Sequence, residues 1–381
     1  MVELDIALPW YAPVVGGVEY RVKTVAGWLA QRGHKVTVHC AAGTPEGQPM
    51  PAGRVAMEGY EVVRYTPELW KGGFRLRFKP ELRPRGQVLE THGYPNLTSD
   101  WLVKRHRRER AVTIELIGST LRPARASHKL MRWGYDHAKG LRTLKRADLI
   151  QVMTRDEAAW AQRHGVRTRI EAIPNGVEAA AFQAVSAEPV KVQYGLRRYV
   201  LFLGRLYHEK NPRDLVEAFA LVAQEFPDLQ LCFVGPDQGE AAPIQALAKA
   251  KGLAHRVVLT GTVPAHTKVA LLRGCEFLAL PSSFEAQGIV LVEAWAQGRT
   301  VLASRVGGVP YLVHHGVNGL LHEPGDVRGL AEAMRVLLAN PGLRSKLEKA
   351  GEAEARSKYR WEVILPRMEK MYEELAATRR A

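Results

Sequence analysis

Two glutamates, Glu285 and Glu293, form the clearest chemical pattern in the sequence. A strand is predicted to end at Pro281, Glu285 lies in the loop that follows, and a helix is predicted over 289–296. The first turn of a helix offers backbone N–H groups and the positive end of the helix dipole, so it favours an anion. A carboxylate accepts both hydrogen bonds of a vicinal diol. The pattern therefore suits a ligand that carries sugar hydroxyls and a diphosphate together, as a nucleotide sugar does.

The surroundings of Glu293 favour this interpretation over a simpler one. Its neighbours Val290, Leu291, Val292 and Ala294 make the predicted helix apolar nearly all round. A buried carboxylate without a partner is costly, and a bound pair of hydroxyl groups would satisfy it. Spacing alone leaves the simpler interpretation open, in which one acid complements the helix dipole and the other is an exposed helix residue.

A second pattern follows the predicted strand over 200–203, where Gly204, Arg205 and Lys210 stand. Ligands of open α/β sheets bind beyond the carboxyl ends of the strands. An arginine can hold a diphosphate with two hydrogen bonds, and a lysine can hold it as a point charge. Two surface cations in an ordinary loop are the alternative.

The elements that position these loops alternate between strands and helices in two series along the chain. A strand over 2–8, a helix over 18–32 and a strand over 35–40 begin the first series, and a strand over 199–203 begins the second. Gly16-Gly17 separates the first strand from its helix; a close approach to a ligand and a plain turn are both open, and no GxGxxG fingerprint is present. The pattern predicts two doubly wound, Rossmann-like parallel-sheet α/β domains that face a cleft.

The composition excludes several classes of protein. The 381 residues are 46% hydrophobic and 24% charged, which suits two globular domains and excludes a mainly disordered chain. The cysteines Cys40, Cys232 and Cys275 lack metal or redox spacing and are expected to be buried thiols in a reducing compartment. No secretory signal and no run of about 20 apolar residues is recognised, so a cytoplasmic protein is expected.

The formal net charge of +15 is concentrated in two segments. Segment 101–147 has thirteen Lys/Arg against three acids, and segment 71–85 has six against one. Because aromatic residues such as Trp101 and Trp133 are interleaved with the charges, peripheral contact with an anionic membrane is ranked first. A solvated helix face and a groove for a polyanionic acceptor stay open. Nucleic acid is ranked last, because no recognised motif accompanies the charge.

In combination, these motifs resemble those of glycosyltransferase family 4 (glycosyl transferases group 1), the retaining enzymes of the GT-B fold. The resemblance is strongest from Tyr199 to Pro341 and weaker in the N-terminal half. It is carried by Gly204-Arg205 with Lys210, Phe233-Val234-Gly235, Glu285 with Glu293, Gly307-Gly308-Val309-Pro310, Ile173-Pro174-Asn175-Gly176, Gly16-Gly17-Val18-Glu19 and Gly33-His34.

The resemblance implies a role for each matching residue. Arg205 and Lys210 would hold the donor diphosphate, and Glu293 would bind the ribose diol. Glu285 would contact the transferred sugar beside the backbone N–H groups of Gly288 and Ile289. Gly204 would lie next to the diphosphate, and Gly16 and Gly17 would lie against the donor from the other domain. No metal and no cofactor is implied, because cations and a helix dipole stabilise the leaving group.

The sequence departs from the family pattern at three places. Family members often carry a histidine at the end of the predicted strand that here ends in Glu115, which puts in doubt how the transferred sugar is held. His92, on the neighbouring predicted loop, could substitute, or be a histidine satisfied by the backbone. Tyr311 stands where a glutamate is common, and Gln287 where an aromatic or small residue is common. Both changes are interpreted as tuning.

These observations lead to the following expectations. The chain transfers a hexose from a UDP- or GDP-sugar to a hydroxyl acceptor, with a lipid-linked acceptor or a cell-envelope glycan as candidates. The acceptor side is expected in residues 1–175, the donor side in 176–358, and a terminal helix over 359–381 on the N-terminal domain. The location is cytoplasmic, at the inner face of a membrane if the basic segment docks there. The alternatives are a decayed nucleotide- or nucleic-acid-binding protein and a sugar phosphorylase or nucleotide-sugar epimerase of the same fold.

Overall fold

The computed structural model describes residues 1–14, 16–45, 47–68, 78–82, 86–116 and 133–378. The chain divides into two compact units. The first comprises Met1–Pro174 together with Ile364–Ala381, and the second comprises Asn175–Val363. Each unit contains its own sheet, and the two are described separately.

The first unit is built on an eight-stranded sheet of order β3-β4-β2-β1-β5-β6-β7-β8. All neighbouring strands are parallel except β3 and β4, which form an antiparallel pair at one edge. The central strands are buried on both faces, as parallel strands covered by helices must be. The strands are β1 Glu3–Ala7, β2 Lys35–Ala41, β3 Gly53–Ala56, β4 Glu61–Tyr65, β5 Val88–His92, β6 Ala111–Glu115, β7 Leu149–Val152 and β8 Arg169–Ala172.

The helices of this unit begin where the sequence supplies capping residues or a glycine loop. The α2 helix begins after Asn96, whose side chain accepts from the backbone N–H groups of Thr98 and Ser99, and Thr154 caps α4 in the same way. The α1 helix follows Gly16 and buries an apolar stripe on the sheet. The helices are α1 Gly17–Gln31, α2 Leu97–His106, α3 Leu141–Leu144 after a π-helical turn at Asp136–Gly140, and α4 Arg155–Arg163.

The second unit is built on a six-stranded, fully parallel sheet of order β11-β10-β9-β12-β13-β14. Successive residues of β9 point to opposite faces, so Tyr199, Leu201 and Leu203 join one core cluster while Val200 and Phe202 join the other. The strands are β9 Arg198–Leu203, β10 Leu229–Val234, β11 Val257–Gly261, β12 Leu278–Leu280, β13 Val301–Ser304 and β14 Leu320–His322.

Helices cover both faces of the second sheet. The predicted helix over 289–296 is confirmed, and it is followed by Gly298 with a φ of 65°. The helices are α5 Glu188–Tyr194, α6 Pro212–Val222, α7 Ala241–Ala250, α8 Ala265–Gly274, α9 Ile289–Ala296, α10 Val309–Leu312, α11 Val327–Ala339 and α12 Pro341–Lys358.

The last helix, α13 Trp361–Ala377, returns the chain to the first unit. The helical spacing of Val363, Ile364, Met368, Met371 and Leu375 predicts one apolar face. Four of these side chains are buried, whereas Val363 is 38% exposed. Polar contacts also fix the helix within the first unit. Glu369 lies 2.7 Å from Arg32 and 2.9 Å from His34, and the Tyr372 hydroxyl donates to Glu90 at 2.7 Å.

The predicted fold class is confirmed, since both units are α/β with parallel sheets. The three cysteines are buried and free, as expected. The antiparallel β3–β4 pair was not predicted. Among the described residues, no helix is both long and apolar enough to cross a bilayer.

Candidate active site

The strand order of the second unit places its functional loops at one point of the sheet. The order reverses between β9 and β12, and open α/β sheets bind ligands in the crevice beyond the carboxyl ends at such a reversal. Gly204 and Arg205 directly follow β9, and the loop from Pro281 to Gly288 follows β12. Sequence positions about 80 residues apart are therefore neighbours.

Glu285 and Lys210 meet at this point. The Lys210 ammonium donates to Glu285 Oε1, and the Ser282 hydroxyl donates to the same oxygen at 2.8 Å. The side chains of Glu285 and Lys210 are 10% and 17% exposed. Each is thus shielded from most water and still reaches the surface. A cation and a carboxylate in this setting can bind a phosphate and a hydroxyl group side by side.

Two backbone contacts and one side-chain contact hold the loop that carries Glu285. The Ser283 N–H donates to the Glu209 carbonyl at 2.8 Å, and the Gly308 N–H donates to the Glu285 carbonyl at 2.9 Å. At the neighbouring Gly307, φ is 49° and a Cβ would lie 2.0 Å from the Glu285 carbonyl oxygen. The third contact is made by the Gln287 side chain on Asn175. Only glycine fits at position 307 without moving the loop.

Glu293 has a protein partner that the sequence analysis did not find. The Lys268 ammonium, from α8, donates to Glu293 Oε1 at 2.7 Å, and the Glu293 side chain is 18% exposed. The expectation of a buried carboxylate without a protein partner was therefore wrong. Because Lys268 precedes Glu293 by 25 residues on another helix, no local spacing signals the pair. A partly exposed ion pair can still exchange its cation for ligand hydroxyls.

Arg205 is exposed beyond β9, with its guanidinium 5.2 Å from the centre of the Tyr207 ring. The adjacent Gly204 is approached closely by the loop after β10, because a Cβ on Gly235 would lie 2.1 Å from the Gly204 carbonyl oxygen. On the β12 side of the strand-order reversal, Gly288 begins α9 with a φ of 79°, and Ile289 is the first helical residue. The structure thus places Gly204, Gly288 and Ile289 at the carboxyl edge of the second sheet.

The remaining predicted site residues belong to the first unit, also beyond carboxyl ends of strands. Its strand order reverses between β1 and β5. Gly16 and Gly17 lie after β1 and at the start of α1, and His92 and Glu115 end β5 and β6. His92 and Glu115 are directly paired in the register of the two strands.

His92 and Glu115 are part of a buried ionic network. His92 Nδ1 lies 2.5 Å from Glu115, and its Nε2 lies 2.7 Å from Glu90. The Arg21 guanidinium lies 3.1 Å from Glu115, and the side chains of Arg21, Glu115 and His92 are at most 1% exposed. Gln151 and Tyr372 donate to the second oxygen of Glu90 at 2.6 and 2.7 Å. Two carboxylates and two cations thus neutralise each other inside the unit.

The network fixes the charge states of its members. Burial by itself lowers the pKa of His92, but the Glu115 and Glu90 carboxylates outweigh it and raise that pKa to about 9. Burial by itself raises the pKa of Glu115, but Arg21 and His92 outweigh it and lower that pKa to about 2. At neutral pH, His92 is therefore a cation and Glu115 an anion.

Among the residues that the structure describes, two groups of side chains have metal-like spacing. They are Glu90, His92 and Glu115, and His34, Glu369 and Glu373. In the first group, Arg21 and His92 already contact the two carboxylates, so the negative charges have partners within the protein. In the second, His34 Nδ1 accepts from the Val2 N–H at 3.1 Å. The proton of the neutral ring is then on Nε2, the atom that faces Glu369 and would have to bind the metal.

Comparison with known families identifies the chain. Residues 188–354 match the family model described as Glycosyl transferases group 1, and residues 15–181 match the model described as Glycosyltransferase Family 4. Together the two matches extend over most of both units. The chain belongs to the family-4, group-1 glycosyltransferases, and it is a glycosyltransferase.

Two curated relatives align with different shares of this chain. The chain is 29% identical over 403 residues to the phosphatidyl-myo-inositol mannosyltransferase of Mycobacterium leprae, with 98% of this chain and 97% of the relative covered. It is 30% identical over 218 residues to the D-inositol 3-phosphate glycosyltransferase of Corynebacterium jeikeium, with 54% of this chain and 52% of the relative covered.

Solved structures share the fold. The sucrose-phosphate synthase of Thermosynechococcus elongatus matches with a TM-score of 0.77 and 23% identity, over 98% of this chain and all of that one. The HepE protein of Anabaena, solved in complex with UDP and glucose, matches with a TM-score of 0.74 and 19% identity, over 98% and 100%. Both likenesses concern the GT-B architecture alone.

Proposed function

We propose that this glycosyltransferase takes a hexose from a UDP- or GDP-sugar held by residues of the second unit. One observation carries the proposal. The strand-order reversal between β9 and β12 gathers Arg205, Lys210 and Glu285 in one crevice, with the start of α9 beside them. This set offers cations and backbone N–H groups for a diphosphate and a carboxylate for hydroxyls.

The cations of the crevice act on the leaving group. Negative charge grows on the diphosphate as its bond to the sugar breaks, and Arg205, Lys210 and the start of α9 neutralise it in place. Lys210 exchanges part of its contact with Glu285 for a phosphate oxygen. The chain's own positive groups therefore supply the stabilisation, and the reaction needs no metal ion.

The carboxylates of the crevice orient the donor. Glu293 accepts the two ribose hydroxyls and gives up part of its contact with Lys268. Glu285 accepts from hydroxyls of the transferred hexose, next to the N–H groups of Gly288 and Ile289. The acceptor attacks the face that the diphosphate leaves, and a phosphate oxygen takes the acceptor proton, so the anomeric configuration is retained.

The names of the relatives guide the proposal for the acceptor. The curated relatives described above act on phosphatidyl-myo-inositol and on D-inositol 3-phosphate. We propose for this chain a hydroxyl of an inositol phosphate, free or in a phospholipid. The charge of the first unit, which is concentrated in segment 101–147, favours an anionic acceptor.

The basic segment is also proposed to hold the protein at an anionic membrane. Residues 117–132 of the segment lie outside the described residues. In the described part, Asp100 of α2 accepts from Thr143 of α3 at 2.7 Å, and these two helices expose basic side chains. Nearby in sequence, Trp133 is 61% exposed. In the described part of the segment, the exposed lysine and arginine residues are Lys104, Arg105, Arg108, Lys139, Arg142 and Lys145.

A transfer assay tests the proposal. The protein is incubated with UDP- and GDP-hexoses and with myo-inositol, an inositol phosphate or phosphatidylinositol vesicles, in EDTA. We expect one donor to give a glycosylated phosphate-bearing acceptor whose NMR coupling constant matches the donor anomer. Donor hydrolysis alone with every acceptor would overturn the acceptor proposal. Dependence on added Mg²⁺ would overturn the metal-free mechanism, and an inverted product would overturn the retaining one.

A sedimentation assay tests the membrane contact. Vesicles of neutral phospholipid are compared with vesicles that contain phosphatidylglycerol. We expect the protein to sediment with the anionic vesicles only, less so at high salt, and much less after the double substitution Arg142→Glu and Lys145→Glu. Equal binding to both kinds of vesicle, or none to either, would contradict the proposal.

A further inference from the structure

The Gln287 side chain makes a paired contact with one backbone residue. Its Oε1 accepts from the Asn175 N–H at 2.7 Å, and its Nε2 donates to the Asn175 carbonyl at 3.0 Å. An amide that satisfies both groups of one residue copies the pairing of two peptide groups in a sheet. Gln287 and Asn175 are 6% and 9% exposed, so water does not replace these bonds readily.

The residue that Gln287 contacts is itself firmly held. Asn175 is the first residue of the second unit. Two positions further on, the Val177 N–H donates to the Tyr359 carbonyl at 2.7 Å, and the Val177 carbonyl accepts from the Trp361 N–H at 3.2 Å. Between them, Gly176 packs on Trp361 so closely that a Cβ would lie 2.9 Å from its ring. The segment over 175–177 is therefore a fixed anchor.

The anchored loop carries the candidate catalytic carboxylate. Gln287 is two residues after Glu285 and directly before Gly288, which begins α9. The side-chain partners of Glu285 are Lys210 and Ser282, and the proposed donor would draw Lys210 away. The contact of Gln287 with Asn175 involves no group that the donor needs. It can therefore hold the loop in place while Lys210 changes partner.

We infer that Gln287 is a positioning residue, which holds Glu285 and the start of α9 in register by fixing their loop to Asn175. The inference rests on the proposed function, because it assigns Gln287 to the site that would bind the donor. It predicts a separation of effects. Arg205 follows β9, and Glu293 lies in the second turn of α9, where the hydrogen bonds of the helix hold it. Nucleotide affinity therefore depends less on Gln287 than turnover does, because turnover depends on the position of Glu285.

Gln287→Met and Gln297→Met form a matched pair for the test. Gln297 is also buried, at 2% exposure, and its amide donates to the carbonyls of Ala181 and Gln183 at 2.5 and 3.0 Å. It lies at the far end of α9 from the loop. Both substitutions remove two hydrogen bonds of a buried amide and keep the side-chain length, so their effects on stability should be similar.

Transfer kinetics and nucleotide binding are then measured on the wild type and both variants. We expect Gln287→Met to lower kcat about 10- to 100-fold, the scale of a small misplacement in an active site, with nucleotide Kd changed less than about threefold. Gln297→Met should change kcat less than about twofold. Equal kcat in the two variants would overturn the inference. If the wild type itself neither binds nucleotide nor transfers sugar, the proposed function fails instead.

Gln287→Glu adds a readout that a merely structural role would not give. A protonated glutamic acid can accept from the Asn175 N–H and donate to its carbonyl, as glutamine does, whereas a carboxylate repels that carbonyl. Each rate is divided by the wild-type rate at the same pH, so that pH effects common to both proteins cancel. The ratio should rise as the pH falls from about 8 to about 5 and stay flat for Gln287→Met. A flat ratio for Gln287→Glu would overturn the inference.

Discussion

The carboxylates of the candidate site all have cationic partners, but in two different settings. Glu285 with Lys210 and Glu293 with Lys268 keep 10–33% of their side chains exposed, so a ligand can reach and replace these contacts. Glu115, in the first unit, is at most 1% exposed and lies between Arg21 and His92. In this setting Glu115 and His92 satisfy each other, and a direct contact with the sugar stays a prediction.

Lys210→Ala tests the proposed charge stabilisation at the residue scale. Removal of a positive group from a developing charge lowers kcat, and we expect a loss of about 10²- to 10³-fold. Steady-state kinetics of sugar transfer measure it. Lys251→Ala is the control, because Lys251 also pairs with a glutamate, Glu217 at 2.7 Å, and both side chains are more than one third exposed. An equal kcat in the two variants would argue against the role of Lys210.

Individual residues show where prediction from the sequence ends. Glu285 and Lys210 could be placed together because each follows a strand, and carboxyl ends of parallel strands share an edge. Lys268 and Arg21 could not be found as partners of Glu293 and Glu115. Those pairs depend on the rotation of helices about their axes, which tertiary packing sets and sequence separation does not encode.

At the scale of the element, the site depends on loops that approach one another through glycines. The loops after β12 and β13 touch at Gly307, whose Cα lies against the Glu285 carbonyl. The same loop is fixed from two other directions by Glu209 and Gln287. The geometry of the crevice therefore depends on the backbone of short loops and not on the helices alone.

Gly307→Ala tests this dependence. The substitution adds a methyl group 2.0 Å from the Glu285 carbonyl oxygen at a φ of 49°, so the loop must move. Gly325→Ala is the matched control, because its φ of 76° is equally unfavourable but no atom lies within 4 Å. Each should lose about 1–2 kcal/mol of stability from φ alone. In urea unfolding, Gly307→Ala should lose more stability than Gly325→Ala. In transfer assays, kcat should fall for Gly307→Ala only.

The two variants are compared in stability as well as in kcat. If Gly307→Ala and Gly325→Ala lowered stability and kcat to the same extent, close approach at Gly307 would not matter for the site. The positive φ would then explain both effects.

Most elements could be predicted, because strongly periodic apolar runs alternate with amphipathic helices along the chain. The antiparallel pair β3–β4 was missed for a physical reason. Its edge strand Gly53–Ala56 is short and mostly exposed, so it lacks the apolar run by which the buried strands were found. Val363 was misassigned because a helix-periodic position is buried only where another element covers it.

For the whole molecule, the buried network of His92 and Glu115 loses part of its stabilising contribution both at high pH and at low pH. The pKa of His92 rises from 6.5 to about 9 on folding, so its contribution is complete below 6.5 and is lost as the pH rises towards 9. The pKa of Glu115 falls from 4.5 to about 2, so its contribution is present above 4.5 and is lost as the pH falls towards 2.

His92→Gln separates this contribution from the other titrating groups. Thermal unfolding midpoints of the wild type and the variant are measured across the pH range. We expect the variant to be less stable at pH 6.5 and the difference to shrink as the pH rises to about 9, because the wild type loses its extra proton there. A difference that stays constant over this range would contradict the assignment of a protonated His92.

We propose that the second unit binds a sugar nucleotide through Glu293 without a metal. Thermal shifts with UDP, GDP, ADP, dTDP and their sugars, in EDTA, are measured on the wild type, Glu293→Ala and Glu276→Ala. Glu276 is the matched control, because its side chain is 20% exposed and also has cationic partners. It pairs with Arg198 and Arg344 at 3.2 and 2.9 Å. It precedes β12 and therefore lies at the amino ends of the strands, opposite the candidate site.

We expect one nucleotide to raise the unfolding midpoint of the wild type and of Glu276→Ala. In Glu293→Ala, nucleotide binding should be weaker by about 1–3 kcal/mol, the scale for loss of a hydrogen-bonding partner. Absence of a shift with every nucleotide, or an equal shift in all three proteins, would contradict the proposal.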